Sequence, residues 1–456
     1  MRFRLFYPYV PIVLTLLLLL AACGSAAPSL SPNDSNTSST LGTPTAQTST
    51  PEPSTADPAI DVCPSDLSQM ANCYTPHSLR VAYGVDSLFQ QGFSGKGQTI
   101  VVIDSFGSPT LQQDVDTFDH QYGLPAITIQ VMSPLNVPTY DPRNDRPGWA
   151  EETTLDVERI HAIAPGASIV VLTSPVAETE GTIGLPEFLQ LEQYAVNHHL
   201  GNIISQSWGA SEVTLQNSAG QQEIQQWDAF YHQATTQEGI TFFTGSGDNG
   251  ATDYADLAGK TLSPTPTTSF PSDDPWVTSV GGTTLRHNGT SIMETAWNSN
   301  GGASGGGFSS FFATPSYQQM LPFAVRTQLA NRRGVPDVAG DADPDTAMAI
   351  YFNGIWEPIG GTSASTPFWA AIMAIANQMA GHPLGFINPA LYKLAMSNKY
   401  AQDFRDITVG NNSVNDGHVN VVGYDAVPGW DPITGWGSPI VDKLLPDLIA
   451  TLQSSG

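Results

Sequence analysis

Short apolar runs separated by helix-like segments are the feature that most limits the folds open to this sequence. The runs are rich in Val, Ile, Phe and Thr and lie at 99–103, 168–172, 202–205, 240–244 and 276–280. Their nearly continuous apolar character indicates strands buried on both faces. Helix-like stretches occupy 110–122, 149–163 and 221–238. This alternation predicts an α/β fold, a parallel sheet with helices on both faces, with functional groups at the carboxyl ends of its strands.

The N-terminus has the features of an export signal. Arg2 and Arg4 precede an apolar run at 10–20, which is too short to span a membrane and suits the core of a signal peptide. The run ends in Leu-Ala-Ala-Cys-Gly, and this ending resembles the lipobox of bacterial lipoproteins, whose cysteine becomes lipidated. We therefore expect a lipoprotein signal peptide at 1–22 and lipidation of Cys23, with an uncleaved anchor as the alternative. Either reading places the protein on the extracellular face of a bacterial membrane, lipid-anchored or released.

The next segment separates this signal from the folded part of the chain. Residues 24–60 consist almost entirely of small and polar residues and contain no Lys or Arg, so 23–60 is predicted to be the lipidated cysteine and a disordered tether. Residues 61–456 are predicted to form one domain. Cys63 and Cys73 are ten residues apart, and in an exported protein such a pair favours a local disulfide. Two free thiols or half of a metal site are the alternatives.

The charge balance excludes one class of partner. The chain has 42 Asp and Glu residues against 16 Lys and Arg, which gives a formal net charge of −26. Such a surface repels nucleic acid. Carboxylates lose their mutual repulsion when they are protonated, so the composition suits an acidic medium, although solubility alone also explains it.

Ser363 is the candidate nucleophile. It follows two glycines and leads into a helical run at 364–379, so it is expected at a helix N-terminus, where free backbone N–H groups stabilise developing negative charge. Pro367 is expected in or near the first turn of that helix. A plain N-cap serine is the alternative. The octapeptide 360–367, Gly-Gly-Thr-Ser-Ala-Ser-Thr-Pro, resembles the nucleophile motif of subtilisin-like peptidases.

A serine nucleophile needs a base, and no histidine here lies in the kind of motif that supplies one in ordinary subtilisins. Glu152 and Asp156 are four residues apart, so they share a helical face with the apolar Ile160. Both carboxylates are therefore expected to point inward, to share a proton and to accept the serine proton in acid. The alternative is that Glu151 and Glu152 only complement a helix dipole, which explains Glu151 well and Asp156 poorly.

Asp248 is a third candidate carboxylate. It lies in Ser-Gly-Asp-Asn-Gly at 246–250, after the apolar run at 240–244. Glycines around an Asp usually indicate a surface turn. At the end of a buried strand, however, a protonated Asp can donate a hydrogen bond to an oxyanion.

These motifs together resemble the sedolisins, the serine-carboxyl peptidases of the subtilisin-like clan. Glu-x-x-x-Asp at 152–156, the segment at 246–250 and Gly-Thr-Ser-Ala at 361–364 have the order and spacing of that family. Further similar motifs lie at 164–167, 207–209 and 280–283, and the resemblance extends from about residue 74 to 439. It implies a subtilisin-like parallel sheet flanked by helices, with 61–456 as the catalytic domain.

The resemblance also assigns roles to the candidate residues. Ser363 would be the nucleophile, Glu152 the general base and later acid, Asp156 its proton-coupled partner and Asp248 the oxyanion donor. Asp104 occupies the position where some relatives extend the carboxylate chain, often with a longer Glu. Trp208 resembles the tryptophan beside the catalytic carboxylates, with a buried core tryptophan as the alternative.

Two loop-like segments, 404–408 and 428–437, contain carboxylates and backbone carbonyls that suit a calcium ion. By themselves, these two segments indicate ordinary surface turns. Their resemblance to the sedolisin calcium site implies one Ca²⁺. The implied ligands are the side chains of Asp406 and Asp431 and the backbone carbonyls of Ile407, Val427 and Gly429. Position 427 is commonly Gly in the family.

Sedolisins are normally made with a folded prodomain, and we expect none before the catalytic motifs here. Unaided folding, help from a separate propeptide or inhibitor, and loss of proteolysis are the alternatives. The expected function is an acid-active, monomeric serine peptidase that cleaves protein or peptide substrates through an acyl-enzyme, with tripeptidyl-peptidase action as an option. It would meet the membrane only through its lipid anchor and bind no nucleic acid. A catalytically idle, peptide-binding surface lipoprotein and a histidine-dependent subtilisin are the competing hypotheses.

Overall fold

A computed structural model describes residues 61–67, 73–141, 146–287, 291–299 and 301–454. The predicted signal peptide at 1–22 and the tether at 23–60, including Cys23, lie outside the described residues. Within the described ranges, no helix combines the length and the apolar character needed to cross a membrane.

The strands have these bounds: β1 (Thr99–Ser105), β2 (Gln130–Met132), β3 (Ser168–Ser174), β4 (Ile203–Gln206), β5 (Ala210–Ser211), β6 (Thr241–Gly245), β7 (Ser269–Phe270), β8 (Thr278–His287), β9 (Ile292–Ala296), β10 (Asn298–Ser299), β11 (Gly302–Ala303), β12 (Gly307–Ala313), β13 (Arg332–Val335), β14 (Val338–Asp341), β15 (Ala349–Phe352), β16 (Ile355–Pro358), β17 (Phe404–Arg405), β18 (Val414–Asn415), β19 (Asn420–Val421) and β20 (Ser438–Pro439).

The α-helices have these bounds: α1 (Pro76–Tyr83), α2 (Asp86–Phe89), α3 (Leu111–Tyr122), α4 (Arg146–Ile163), α5 (Leu185–Asn197), α6 (Ser218–Gln237), α7 (Phe323–Leu329), α8 (Thr362–Ala380), α9 (Asn388–Ala395), α10 (Tyr400–Asp403) and α11 (Val441–Gln453).

The main sheet has the strand order β14-β8-β6-β4-β1-β3-β2. These neighbours pair in parallel, and β9 pairs antiparallel with the distal half of β8. The predicted α/β class and its parallel sheet are thus confirmed. The fifth apolar run becomes a longer strand than predicted because β8 continues through two glycines into the hairpin with β9. Strand β14, Val-Ala-Gly-Asp, was not predicted because its glycine and aspartate are typical of loops.

The sheet is covered on both faces, and β1 shows why its sequence is apolar throughout. Ile100 and Val102 belong to one hydrophobic core, which also contains residues of α4 and α8. Val101 and Ile103 belong to a second core, which contains residues of α5 and α6. Successive strand residues point to opposite faces, so a strand between two helical layers requires apolar residues at consecutive positions.

The chain before α1 is tied to the domain. Cys63 and Cys73 are joined by a disulfide bond. Thr75 then caps α1, accepting the N–H of Ser78, while the hydroxyl of Ser78 accepts the N–H of Thr75. This reciprocal arrangement satisfies N–H groups that the helix itself leaves unpaired.

Candidate active site

Ser363 is the second residue of α8 and is fully buried. The N-cap position is held by Gly361, so the interpretation of Ser363 as a plain N-cap is wrong. Pro367 is the sixth residue of α8, which begins at Thr362, so it lies near the first turn of the helix but inside it. A proline at this position cannot donate its N–H to the carbonyl oxygen of Ser363. The hydroxyl of Ser207 instead lies 3.4 Å from that oxygen.

The helix that carries Glu152 and Asp156 is buried on every side. It begins at Arg146, earlier than predicted, and every residue from Trp149 to Ile163 is buried. No acidic residue lies in its first turn, so the explanation of Glu151 and Glu152 by the helix dipole is wrong. The dipole's effect is confined to the first turn of a helix.

Glu152 lies against the nucleophile. Its side chain is 2 % exposed, and burial raises its pKa well above the usual range, with a further increase from the charge of Asp104. The neighbouring side chain of Ser363 acts in the opposite direction and lowers that pKa. A carboxyl in this position is adjacent to the proton that a serine nucleophile must lose.

Asp156 lies one helical turn further along α4 and is fully buried. Its Oδ1 accepts a hydrogen bond of 2.8 Å from the hydroxyl of Ser207, which follows β4 directly. Burial raises the pKa of Asp156, the charges of Asp104 and Glu152 raise it further, and the bond from Ser207 lowers it. Glu152 and Asp156 therefore form a pair in which losing the first proton hinders loss of the second.

Asp104 extends this pair to a cluster of three carboxyl groups. It lies in β1 and is fully buried, and burial raises its pKa to about 7. Its charge is the largest charge effect on the pKa values of both Glu152 and Asp156. The shorter arm of an Asp, compared with Glu, thus still places a carboxyl group within the influence of both α4 carboxyls.

Asp248 faces the start of α8, not open solvent as in an ordinary surface turn. Its Oδ1 accepts two hydrogen bonds of 2.8 Å from Thr362, one from the backbone N–H and one from the hydroxyl. Burial raises the pKa of Asp248, whereas these two bonds lower it. Because Oδ1 is engaged by donors, Oδ2 is the oxygen available to hold a proton.

Gly361 allows the loop of Asp248 to approach α8. Its φ angle is +94°, a region that favours glycine. A Cβ at this position would lie 2.6 Å from Oδ2 of Asp248, closer than atoms in contact tolerate. The glycine of the nucleophile motif therefore leaves room for the carboxyl group next to the serine.

Trp208 lies in the second hydrophobic core and is 2 % exposed. Its ring meets Phe188 edge-on at a centroid distance of 4.7 Å and packs against Trp227 at 5.6 Å. These contacts match the packing role given above as the alternative for Trp208. The ring fixes the segment between Ser207 and β5 on the sheet.

The residues of the predicted calcium site lie in two neighbouring loops. Asp406 follows β17, which pairs with β20, and both of its carboxylate oxygens accept the N–H of Gly429 at 3.1 Å. Asp431 is 1 % exposed and accepts the N–H of Val427 at 3.1 Å. Burial raises the pKa of Tyr400, and the charges of Asp406 and then Asp431 raise it further. The two carboxylates hold N–H groups only two residues apart, so both lie at the same loop.

Two residues of the site had no role in the sequence analysis. Ser207 holds Asp156, and Thr362 holds Asp248. Both were visible as members of recognised motifs, Ser-Trp-Gly and Gly-Thr-Ser-Ala. Their roles could not be assigned, since a hydroxyl gives no indication of its partner before the fold brings the two groups together.

Comparison with known proteins places the chain in a family. The subtilase family profile matches residues 144–437. Kumamolisin of Bacillus sp. (strain MN-32) is 35 % identical over 393 residues, which cover 84 % of this chain and 65 % of kumamolisin. Sedolisin of Pseudomonas sp. (strain 101) is 31 % identical over 360 residues, 76 % of this chain and 57 % of sedolisin. This chain thus spans between about half and two thirds of these relatives' length.

A solved structure gives the same result. Pseudomonas sedolisin, described as a serine-carboxyl proteinase complexed with two molecules of pseudo-iodotyrostatin, superposes with a TM-score of 0.70 at 28 % identity. The match covers 85 % of this chain and 99 % of that one. The carboxyl groups around Ser363 lie on this shared fold. The chain belongs to the subtilase family and, within it, to the sedolisins.

Proposed function

We propose that this protein is an acid-active serine-carboxyl peptidase that cleaves peptide bonds through an acyl-enzyme on Ser363. The observation that carries the proposal is the convergence of three groups at the start of α8. Glu152 lies against the nucleophile, Asp156 belongs to the same coupled cluster, and Asp248 is held by Thr362. A base, a proton-coupled partner and an oxyanion donor are the parts that acyl transfer from a serine requires.

In the acylation step, Oγ of Ser363 attacks the carbonyl carbon of the scissile bond and its proton passes to Glu152. The negative charge that develops on the carbonyl oxygen is stabilised by a hydrogen bond from protonated Asp248, through the Oδ2 that Thr362 leaves free. Glu152 then donates the proton to the leaving nitrogen as the C–N bond breaks. Removing one oxyanion donor typically costs about 10²- to 10³-fold in kcat.

In the deacylation step, Glu152 takes a proton from water and the resulting hydroxide equivalent attacks the acyl carbon. The ester bond to Ser363 breaks, and Oγ regains a proton from Glu152. Asp104 supports both steps, because after burial its charge is the largest effect that raises the pKa of Glu152 and so favours the form that holds the proton. Asp156 belongs to the same set of interacting carboxyl groups. The proton count of the cluster is the same before and after a turnover.

The proposed pH range follows from the protonation states. Asp248 must hold its proton to donate, and burial raises its pKa, so activity falls as the pH rises through that value. The Glu152–Asp156 pair must hold only part of its protons to act as a base, so activity also falls when the pH is low enough to protonate the pair fully. We infer from the sequence that the enzyme acts outside the cytoplasm, held by a lipid on Cys23 and acting on proteins or peptides as a monomer.

A quenched fluorogenic peptide library, assayed between pH 3 and 8, tests this function. Wild type is expected to cleave in acid and to lose activity toward neutral pH, while Ser363→Ala and Glu152→Gln abolish turnover. Ser365→Ala is the matched control, since Ser365 is buried in the same helical turn and, within the part of the chain that the structure describes, its hydroxyl bonds only to a backbone oxygen of Thr362. Full activity at neutral pH, or activity in Glu152→Gln, would refute the carboxylate mechanism. A folded wild type without peptidase activity would instead support the peptide-binding alternative.

We also propose that one calcium ion binds at Asp406 and Asp431. The residues fit the ion, because Asp406 and Asp431 both hold the loop at 427–429 and backbone oxygens at Ile407, Val427 and Gly429 can complete an all-oxygen shell. A bound ion would neutralise these like charges and link the loop after β17 to the loop before β20. This role is structural.

Removal of calcium should therefore lower stability. An ion at 100 times its Kd stabilises the folded state by about 2.7 kcal/mol, so EDTA should lower the thermal unfolding midpoint of wild type by several degrees. The unfolding midpoint of Asp406→Asn should change little on chelation. Asp425 is exposed and lies in the same loop region, so the midpoint of Asp425→Asn should respond to EDTA as that of wild type does. An unchanged midpoint of wild type in EDTA would count against this site.

A further inference from the structure

Glu151, immediately before the proposed base, is a carboxyl that the mechanism does not use. It lies in the buried helix α4 and is 9 % exposed. Among the described residues it has no hydrogen-bond partner. The group that acts on it electrostatically is Glu357, whose charge adds to the effect of burial and raises the pKa of Glu151 to about 7.

The register of the β15–β16 hairpin explains why Glu357 faces Glu151. Ile350 and Glu357 are direct cross-strand partners, so their side chains lie on the same face of the hairpin. Ile350 packs with Leu155 of α4 and Ala364 of α8, which fixes that face toward the two helices. Glu151 lies one helical turn before Leu155 and on the same side of α4. The two carboxyl groups therefore meet beside the residue that follows Ser363.

Other carboxylates near this hairpin are accounted for. Glu158 of α4 accepts the backbone N–H of Tyr351 at 2.9 Å. Asp114 of α3 accepts the N–H of Asn353 at 3.2 Å and the hydroxyl of Thr110 at 2.6 Å. Across the described ranges, Glu151 and Glu357 have no such donors, and Glu357 is partly exposed, so the pair is open to a ligand. Two adjacent carboxyls that lack donors suit a cation with several N–H groups.

The position of the pair relative to the cleavage point follows from the chemistry. The base that removes the serine proton later protonates the leaving nitrogen, so the part of the substrate that leaves must lie beside Glu152. Glu151 precedes Glu152 in the chain, and the hairpin that carries Glu357 runs directly into the nucleophile segment at 360–363. The pair thus lies close to the helix and the segment that carry the reacting groups.

We propose that Glu151 and Glu357 form a subsite for a basic side chain, Lys or Arg, at the first or second residue after the scissile bond. The proposal rests on the peptidase function proposed above. An ammonium or guanidinium group would bridge the two carboxylates and supply the donors that the protein does not. The bound cation would relieve the repulsion between the two carboxylates. Glu151 and Glu357 would then determine specificity and would take no part in the chemical steps.

The test compares peptides that differ only in Lys, norleucine or Glu at the first or second position after one cleavage site. The ratio of kcat/KM for Lys to that for norleucine cancels the general effect of pH on catalysis. Wild type should favour Lys about tenfold at pH 7.5, above the pKa of about 7 at which Glu151 ionises, as expected for charge-assisted hydrogen bonds, and less at pH 4, where the pair is protonated. Glu should be disfavoured.

Glu151→Gln and Glu357→Gln should each bring the Lys to norleucine ratio close to one while the norleucine peptide is still cleaved. Glu238→Gln, an exposed change at the end of α6, should leave the ratio unchanged. Affinity of the same peptides for Ser363→Ala, measured by calorimetry, gives a readout without turnover. Cleavage without Lys preference, or a preference that survives Glu357→Gln, would overturn the subsite alone, whereas absence of any cleavage would overturn the proposed function.

Discussion

At the scale of single residues, Thr362 and Gly361 show how a short motif acts on its surroundings. Thr362 donates twice to Asp248, and Gly361 leaves the space that the other oxygen of that carboxyl occupies. The motif could be recognised from the sequence, and so could Ser363, Glu152 and Asp248. The contacts could not, because Asp248 is more than a hundred residues from Thr362 and only the fold joins β6 to α8.

Gly361→Ala should reduce activity strongly and also lower stability. The added Cβ would displace Oδ2 of Asp248, so we expect a loss of about 10²-fold in kcat, as for removal of an oxyanion donor. Gly381→Ala is the control, since Gly381 also has a positive φ, at the end of α8, but nothing within 4 Å of the added carbon. It should cost about 1 kcal/mol of stability and leave kcat unchanged. Equal activity in both variants would argue against the role of Gly361.

At the scale of elements, the apolar runs predicted the central strands well because burial on both faces leaves a strong signal. Elements with mixed sequences were missed. The β15–β16 hairpin carries a turn signal, Asn353-Gly354, that sequence reasoning could have used. The limits of α4 were also misjudged, since a helix buried on every side has no polar face to mark its register.

One buried ion pair joins several of these elements. Arg333 of β13 makes two bonds, of 2.8 and 2.6 Å, to Asp337, which precedes β14. Asp337 also accepts the hydroxyl of Tyr392 from α9 at 2.8 Å and the N–H of Ser279 from β8 at 2.9 Å. Such a set of bonds was invisible in the sequence, where Pro-Asp resembles an ordinary turn.

Asp337→Asn should therefore destabilise the whole domain. It leaves a fully buried guanidinium without its counter-charge, and we expect a loss of about 3–5 kcal/mol in the free energy of unfolding. Lys399→Gln removes an ion pair with Asp447 in which Lys399 is 46 % exposed, and it should cost less than about 1 kcal/mol. Denaturant unfolding of the two variants compares these losses, and similar values would contradict the assignment.

At the scale of the whole molecule, the distribution of carboxyl groups matters more than their number. Buried carboxyl groups whose pKa is raised well above the usual range by burial are Glu152, Asp156, Glu158, Glu192, Asp273, Asp274 and Asp341. The composition indicated an acidic protein, but it could not reveal which carboxylates are internal.

The contact between Glu212 and Asp273 shows that at least one buried proton is structural. The hydroxyl of Ser309 lies within hydrogen-bond distance of both carboxyl groups. A hydroxyl has one proton to donate, and the oxygen of Ser309 also accepts the N–H groups of Phe311 and Phe312. Ser309 can thus donate to only one of the two carboxyl groups. Burial, and after it the charge of Glu212, raise the pKa of Asp273 well above its usual range, so Asp273 is the carboxyl that holds a proton.

Stability should accordingly fall as the pH rises above about 4. A carboxyl whose pKa is higher in the folded than in the unfolded state binds more protons when the protein is folded. Its contribution to stability is complete at a pH below the unfolded-state pKa and is lost as the pH rises through the folded-state pKa. The side chain in Asp273→Asn stays neutral at every pH. Between pH 4 and 7 the free energy of unfolding should therefore decrease less in this variant than in wild type, and the two decreases should differ by about 1–4 kcal/mol. Equal pH slopes in the two proteins would contradict this account.

The burial of α4 has a consequence for how protons move during turnover. Glu152 is 2 % exposed and Asp156 is not exposed at all, so a peptide lying over Ser363 covers what little contact with water remains. The proton taken from the serine then cannot be exchanged with bulk solvent before it reaches the leaving amine. During each acylation the carboxyl cluster would therefore keep the number of protons that it held before the substrate bound. That number is set by the pH of the medium.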